Sequence, residues 1–186
     1  MAPDEYLAWE REQDEKHEYW DGRIVAMSGG TMRHAFLTAQ MSGALRAALR
    51  DCKVFSADLR VSIDGGRRYV YPDVTVVCGA PRGQPGTNDV LENPTIVVGV
   101  MSPSTGGHDA TTKWEAYQRI GSLTDYLLVD QSRARIERYS RTGAEAWSYA
   151  AYGPGQHVPL SHGTTLEIDA IYAGAFELGT EAAQSG

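Results

Sequence analysis

The sequence predicts an α/β (α+β) fold, a mixed β-sheet flanked by helices. Three observations carry that reading. Residues 55–63 alternate apolar and polar side chains with the period of a half-buried strand. Thr95 to Met101 is continuously apolar apart from Gly99, as in a strand covered on both faces. Leu37, Met41, Ala44, Leu45 and Ala48 recur at the spacing of one buried helical face. The chain has 186 residues, enough for a sizeable core. It reads as a single domain over residues 1–180 with a polar tail over 181–186.

Taken in order, Pro3 with Asp4 and Glu5 opens a short helix, since proline suits the first turn and acids suit its positive end. Glu18 to Met27 reads as a hairpin turning at Asp21-Gly22. Ser28-Gly29-Gly30-Thr31 leads into a helix that runs to about Arg50. The alternating strand over 55–63 turns back at Asp64-Gly65-Gly66 into a second strand, Tyr69 to Cys78. Residues 79–94 hold several Gly and Pro and read as a loop. After the 95–101 strand comes a helix over 109–120, ended by Gly121. Thr124–Asp130 and Arg133–Ser140 pair around Gln131-Ser132. Short strands near 146–151 and 165–168 and a terminal helix follow, and no internal repeat is visible.

Composition narrows the function classes. The hydrophobic fraction is 42% and the charged fraction 22%, those of an ordinary soluble domain. No apolar run approaches the ~20 residues that span a bilayer. The N-terminus lacks the basic-then-apolar layout of a signal peptide. Cys52 and Cys78 are too few for a disulfide framework and show no metal spacing, so a reduced, cytoplasmic setting is expected. The net charge of −7 argues against coating nucleic acid by bulk electrostatics. It leaves room for a local basic groove.

Some residues nonetheless suggest chemistry on a phosphodiester, which needs a cation to neutralise the phosphate and acidify a water. Magnesium is held by one or two carboxylates with water and substrate phosphate. Asp73 follows Pro72 inside a strand otherwise rich in Val and Tyr, where propensity disfavours it. It is either a metal ligand or a half-exposed acid facing solvent or an arginine such as Arg60. Lys113 lies on the helix after Ser102-Pro103-Ser104-Thr105, sharing a face with Asp109 and Tyr117. It is placed to orient a water, or to pair with Asp109 at the surface. Glu18 and, ranked below it, Asp58 are further candidate acids.

The chain resembles a known family on several motifs together. Glu18-Tyr19-Trp20-Asp21-Gly22 looks like its opening hairpin. His34, Tyr71-Pro72-Asp73-Val74, Val100-Met101-Ser102-Pro103-Ser104-Thr105, then Asp109, Lys113 and Tyr117 follow in order, and Tyr126-Leu127-Leu128-Val129-Asp130 completes the pattern. This is the Uma family of putative restriction endonucleases, within the PD-(D/E)xK nuclease superfamily. The likeness runs from about Asp4 to Ile171. It implies a restriction-endonuclease-like fold, Mg²⁺- (or Mn²⁺-) dependent cleavage of DNA, and a homodimer, which sheet edges and apolar residues such as Trp147, Tyr149 and Tyr152 also suit. By position, Asp73 would be the principal metal ligand, Glu18 a supporting acid, Lys113 the catalytic lysine, and the carbonyl of Val100 a further metal contact.

One position departs from the pattern. The family carries glutamate between two valines where this chain reads Val98-Gly99-Val100. Glycine supplies no ligand, and losing one of two anionic contacts of ~1.5–3 kcal/mol each weakens any metal site. Three outcomes stay open: Glu18 or Asp58 fills in, metal binds only with substrate phosphate, or the domain is a catalytically inactive module for DNA binding or protein assembly. Elsewhere, Ser28 to Thr31 reads as a helix cap, the five histidines show no zinc spacing, and Arg33, Arg46 and Arg50 line one helix.

Overall fold

The computed structural model describes residues 1–27, 29–101 and 108–178, with side chains described throughout except at 108–110. Helix α1 (Pro3–Glu10) starts on Pro3 and carries Asp4 and Glu5 in its first turn, as expected. Strands β1 (His17–Trp20) and β2 (Arg23–Ala26) form the hairpin read at Asp21-Gly22. Both turn residues take positive φ, +46° and +95°, which is what a two-residue turn matched to strand twist requires. Helix α2 (Met32–Ala48) begins at Thr31, whose hydroxyl accepts the His34 N–H at 3.1 Å, and buries Leu37, Met41 and Leu45.

The next segment corrects the sequence reading. Residues 55–63 and 69–78 are not two straight strands but four: β3 (Cys52–Ser56), β4 (Arg60–Ile63), β5 (Arg68–Val70) and β6 (Val74–Cys78). They form one long hairpin, β4 on β5 at the tip and β3 on β6 at the base. The hairpin bends in the middle, so its base and tip lie in different sheets. Pro72 has no N–H to give a ladder, and residues 57–59 turn opposite it. Asp73 therefore sits at the mouth of β6 instead of inside a strand.

Strand β7 (Val90–Leu91) emerges from the stretch read as loop and lies parallel to β4. Then follow β8 (Ile96–Met101), α3 (His108–Tyr117), β9 (Asp125–Asp130), β10 (Arg135–Arg141) and β11 (Trp147–Tyr152). The small pair β12 (His157–Pro159) and β13 (Thr165–Glu167) precedes α4 (Ile168–Tyr172); β12 had no signal in the sequence. One sheet runs β2-β1-β5-β4-β7 and the main one β11-β10-β9-β8-β6-β3. The main sheet is mixed: β8 runs parallel to β9, with α3 in the crossover, and antiparallel to β6.

Period-two burial divides the core across this sheet. Val98, Val100, Val74 and Val76 pack under α2 and α4, while Val97, Val77, Tyr126 and Leu128 pack under α3 with Ala116 and Tyr117. Cys52 and Cys78 face each other across β3 and β6 and are joined as a disulfide, Cα to Cα 4.3 Å. This overturns the expectation of unpaired cysteines. Register sets the pairing, and nothing in two cysteines 26 positions apart announces it. Among the described residues no helix is long and apolar enough to cross a membrane.

Candidate active site

The candidate site lies where β6 begins and β8 ends. The β6–β8 register pairs Val74 with Val98, so one step further sets Asp73 opposite Gly99. Asp73 is held at both oxygens. Oδ2 accepts the Val100 N–H at 2.6 Å, and Oδ1 accepts from His34 Nε2 at 2.8 Å. The first contact ties the carboxylate to the end of β8, the second to the first turn of α2. That hydrogen bond, backed by the charge of Asp73, pushes the His34 imidazole above its ordinary pKa against the opposing effect of partial burial.

A second ion pair stands on the α3 side. Lys113 Nζ lies 3.0 Å from Glu18 Oε1, with Glu18 almost wholly buried. Trp20 Nε1 donates to the other oxygen of Glu18 at 3.1 Å, and the Tyr71 N–H approaches Oε1 at 3.4 Å. Tyr71 and Asp73 flank Pro72, so the bend that stops the ladder turns a backbone N–H to Glu18 on one side and carries the Asp73 carboxylate on the other. Of the partners read for Lys113, the described residues show Glu18. The side chain of Asp109, and the whole of Ser102 to Thr105, lie outside the described residues.

Three further expectations are revised. Asp58 is 82% exposed and pairs with Lys16. Arg60 pairs with Asp89 rather than with either candidate acid. Arg33 is spent on the backbone carbonyls of Gln131, Ala175 and Leu178, which pin residues 175–178 to α2. Tyr117 is buried with its ring 4.9 Å from that of Tyr126, a packing position under α3. Val100 offers its N–H to Asp73. Gly99 leaves an ordinary space: a Cβ there would meet Leu128 Cδ2 at 3.5 Å and the Tyr126 hydroxyl at 3.7 Å.

A family model described as putative restriction endonuclease, Uma2, matches residues 3–172. The chain belongs to the Uma2 family. Two uncharacterised proteins of Synechocystis sp. are similar along its length, one 36% identical over 177 residues (94% of this chain, 92% of the other), the second 33% identical over 145 residues (77% and 82%). A crystal structure of a putative nuclease belonging to DUF820 from Anabaena variabilis superposes with a TM-score of 0.75 at 15% identity. It covers 94% of this chain and 99% of that one. The Uma2 chain thus has the fold of that protein, and the expected restriction-endonuclease-like architecture of a mixed sheet flanked by helices is what is found.

Do the residues of this Uma2 chain suit a divalent cation? Among those described, no group of three or more His, Cys, Asp and Glu side chains converges. Asp73 alone faces Gly99, which meets the lower limit for a magnesium-type site completed by water and substrate phosphate. Glu18 is committed to Lys113 and Trp20.

Proposed function

We propose that this protein is a metal-dependent DNA endonuclease, hydrolysing phosphodiester bonds with a reduced ligand set. The observation that supports the reading is the Asp73 carboxylate bound to the Val100 N–H at the end of β8, with the Lys113–Glu18 pair joined to the backbone of Tyr71 on the other side of Pro72. Asp73 would hold Mg²⁺ or Mn²⁺, with the Val100 carbonyl as a further contact. A bound cation would supply Lewis acidity to the phosphate and a more acidic water. Lys113, paired with Glu18, would orient that water or neutralise the phosphate. The Val100 N–H and His34 hold the Asp73 carboxylate in one rotamer, so little ordering remains when substrate arrives. The whole forms one domain, reads as a homodimer whose uncharged edge strand β11 exposes Tyr149, and would take DNA as its substrate.

A second reading, an inactive module for DNA binding or protein assembly, is favoured by Gly99 and by the occupation of both Asp73 oxygens. Nicking of supercoiled plasmid in Mn²⁺ separates the two. Wild-type nicking that disappears in Asp73→Ala supports the nuclease. No nicking by the wild type, with no metal-dependent rise in thermal midpoint, supports the inactive module.

A further inference from the structure

A cleft of about 420 Å³ opens between the β1–β2 hairpin and α3. Trp20, Arg23 and Arg68 line it from the five-stranded sheet, and Thr112, Glu115 and Arg119 line it from α3 and the turn that follows. Trp20 also joins the cleft to the candidate site. Its indole N–H donates to Glu18 Oε2 at 3.1 Å, and Lys113 lies 3.0 Å from Glu18 Oε1.

On a chain of net charge −7 this cleft carries a local surplus of positive charge. Three guanidinium groups share two carboxylates. Asp21 pairs with Arg67 and Arg68 at 2.8 Å each, and Asp64 pairs with Arg68 at 2.7 Å and with Arg119 at 3.5 Å. Arg23 is exposed and has no carboxylate partner among the described residues. Glu115 takes back one charge, which leaves Arg23, Arg67, Arg68 and Arg119 against Asp21, Asp64 and Glu115. Exposed pairs are weak, and Arg119 is 58% exposed, so a phosphate oxygen can replace Asp64 at its guanidinium. The planar donor fork of arginine suits phosphate.

The cleft does not end at Arg119. A second one, of about 540 Å³, shares Glu115 and Arg119 in its wall and continues to Arg141 and Trp147. Arg141 is held there by the backbone carbonyls of Gln118, Ile120, Leu123 and Ala144. Two clefts in series along α3 suit a chain of phosphates better than a single anion.

We propose that this groove carries the phosphate backbone of the DNA substrate past the Lys113–Glu18 pair, with Arg23 and Arg119 as direct phosphate contacts. The inference rests on the reading that the protein acts on DNA, and it adds where the backbone lies. Bulk charge does not attract DNA to this molecule, so the local surplus has to.

The test reads binding alone, with the full chain, a fluorescently labelled DNA duplex, chelator to prevent cleavage, and anisotropy at roughly 50 and 200 mM salt. Each phosphate neutralised adds about 0.9 to the slope of log affinity against log salt. Arg23→Gln with Arg119→Gln is expected to bind at least tenfold more weakly at the lower salt, with a slope shallower by about 2. Arg23→Lys with Arg119→Lys keeps both charges and is expected to keep the slope. Arg46→Gln with Arg50→Gln makes the same change in net charge at the far end of α2, on the other face of the main sheet, and is expected to bind as the wild type does. All four positions are exposed, and thermal midpoints establish that each variant is folded. Equal weakening by the two glutamine pairs, unchanged binding in the Arg23–Arg119 variant, or no duplex binding by the wild type overturns the proposal. Displacement of the duplex by inorganic phosphate at the same phosphate concentration reassigns the cleft to a small anion and overturns it too. In each of these cases Mn²⁺-dependent nicking that is lost in Asp73→Ala leaves the nuclease reading standing. Groove-dependent binding by a wild type that does not nick bears out the groove and sinks the nuclease reading instead.

Discussion

At the scale of single residues, position 99 decides most about chemistry. The contacts a Cβ would make there, 3.5 and 3.7 Å, are ordinary van der Waals distances, so the first side-chain atom fits without moving β9. Gly99→Glu is therefore expected to fold and to raise Mn²⁺-dependent plasmid nicking at least tenfold; equal nicking by both chains would show that the missing carboxylate is not what limits the site. The Lys113–Glu18 pair makes a separate prediction. Removing one member of a buried pair leaves the other charge without compensation. Lys113→Met is expected to cost about 2–3 kcal/mol, below the full buried-pair figure because Lys113 keeps some solvent. Adding Glu18→Gln should return part of that loss, read as a positive coupling in a double-mutant cycle of urea midpoints. Asp73 and Lys113 were visible in the sequence because a proline, a strand and a helix face framed them. His34 entered only as a position of the family pattern, with no role of its own: it is one histidine in a helix, and its contact with Asp73 spans 39 positions of chain. Asp58 misled because strand alternation put it on a polar face, whereas the bend carries it out to Lys16.

At the scale of elements, the hairpin bent at Pro72 is what assembles the site. Alternation identified both of its arms and the glycines identified its tip, but neither signal distinguishes one continuous strand from two strands in different sheets. Period two persists through the break, so the sequence pattern is the same on either side. The sequence marked β8 and α2 because long apolar patterns have few alternative explanations; three-residue β12 offered no pattern to find. The disulfide is an element-level feature too. It fastens β3, an edge strand, to β6, and closes a loop of 26 residues. A loop of that size stabilises by about 3.5 kcal/mol in the chain-entropy account. For a domain of this length that corresponds to a fall of roughly 7–14 °C in thermal midpoint on reduction. Melting the chain with and without reductant, alongside a Cys52→Ser/Cys78→Ser variant that should be insensitive to reductant, checks it. An identical midpoint in all four samples would mean that the bond does not hold β3 to the sheet.

At the scale of the whole molecule, the excess of acid has to be held against itself, since a net charge of −7 favours expansion. Much of it is held by basic neighbours. Asp89 accepts two hydrogen bonds from Arg11, at 2.8 and 3.0 Å, and pairs with Arg60 at 3.0 Å, joining α1 to the five-stranded sheet. The Arg11 hydrogen bonds lower the Asp89 pKa below the usual carboxylate value, burial opposes them, and the charges of both arginines add to the lowering. The Lys16 ammonium likewise lowers Asp58. A carboxylate whose folded pKa lies below its unfolded value binds its proton first in the unfolded chain. Its stabilisation is thus complete above the unfolded value of about 3.9 and is lost as pH falls through the depressed folded value. The protein should accordingly hold its stability at neutral pH and lose it steeply on the acid side. Asp89→Asn is expected to lower stability at pH 7 by about 1 kcal/mol, a small figure because Arg11 is partly in solvent, and to leave a shallower slope of stability against pH below 4. Urea midpoints from pH 7 to pH 3 for the two chains decide it. Parallel curves would mean that Asp89 titrates alike in the folded and unfolded states, and that the arginines around it pack the junction without stabilising its charge.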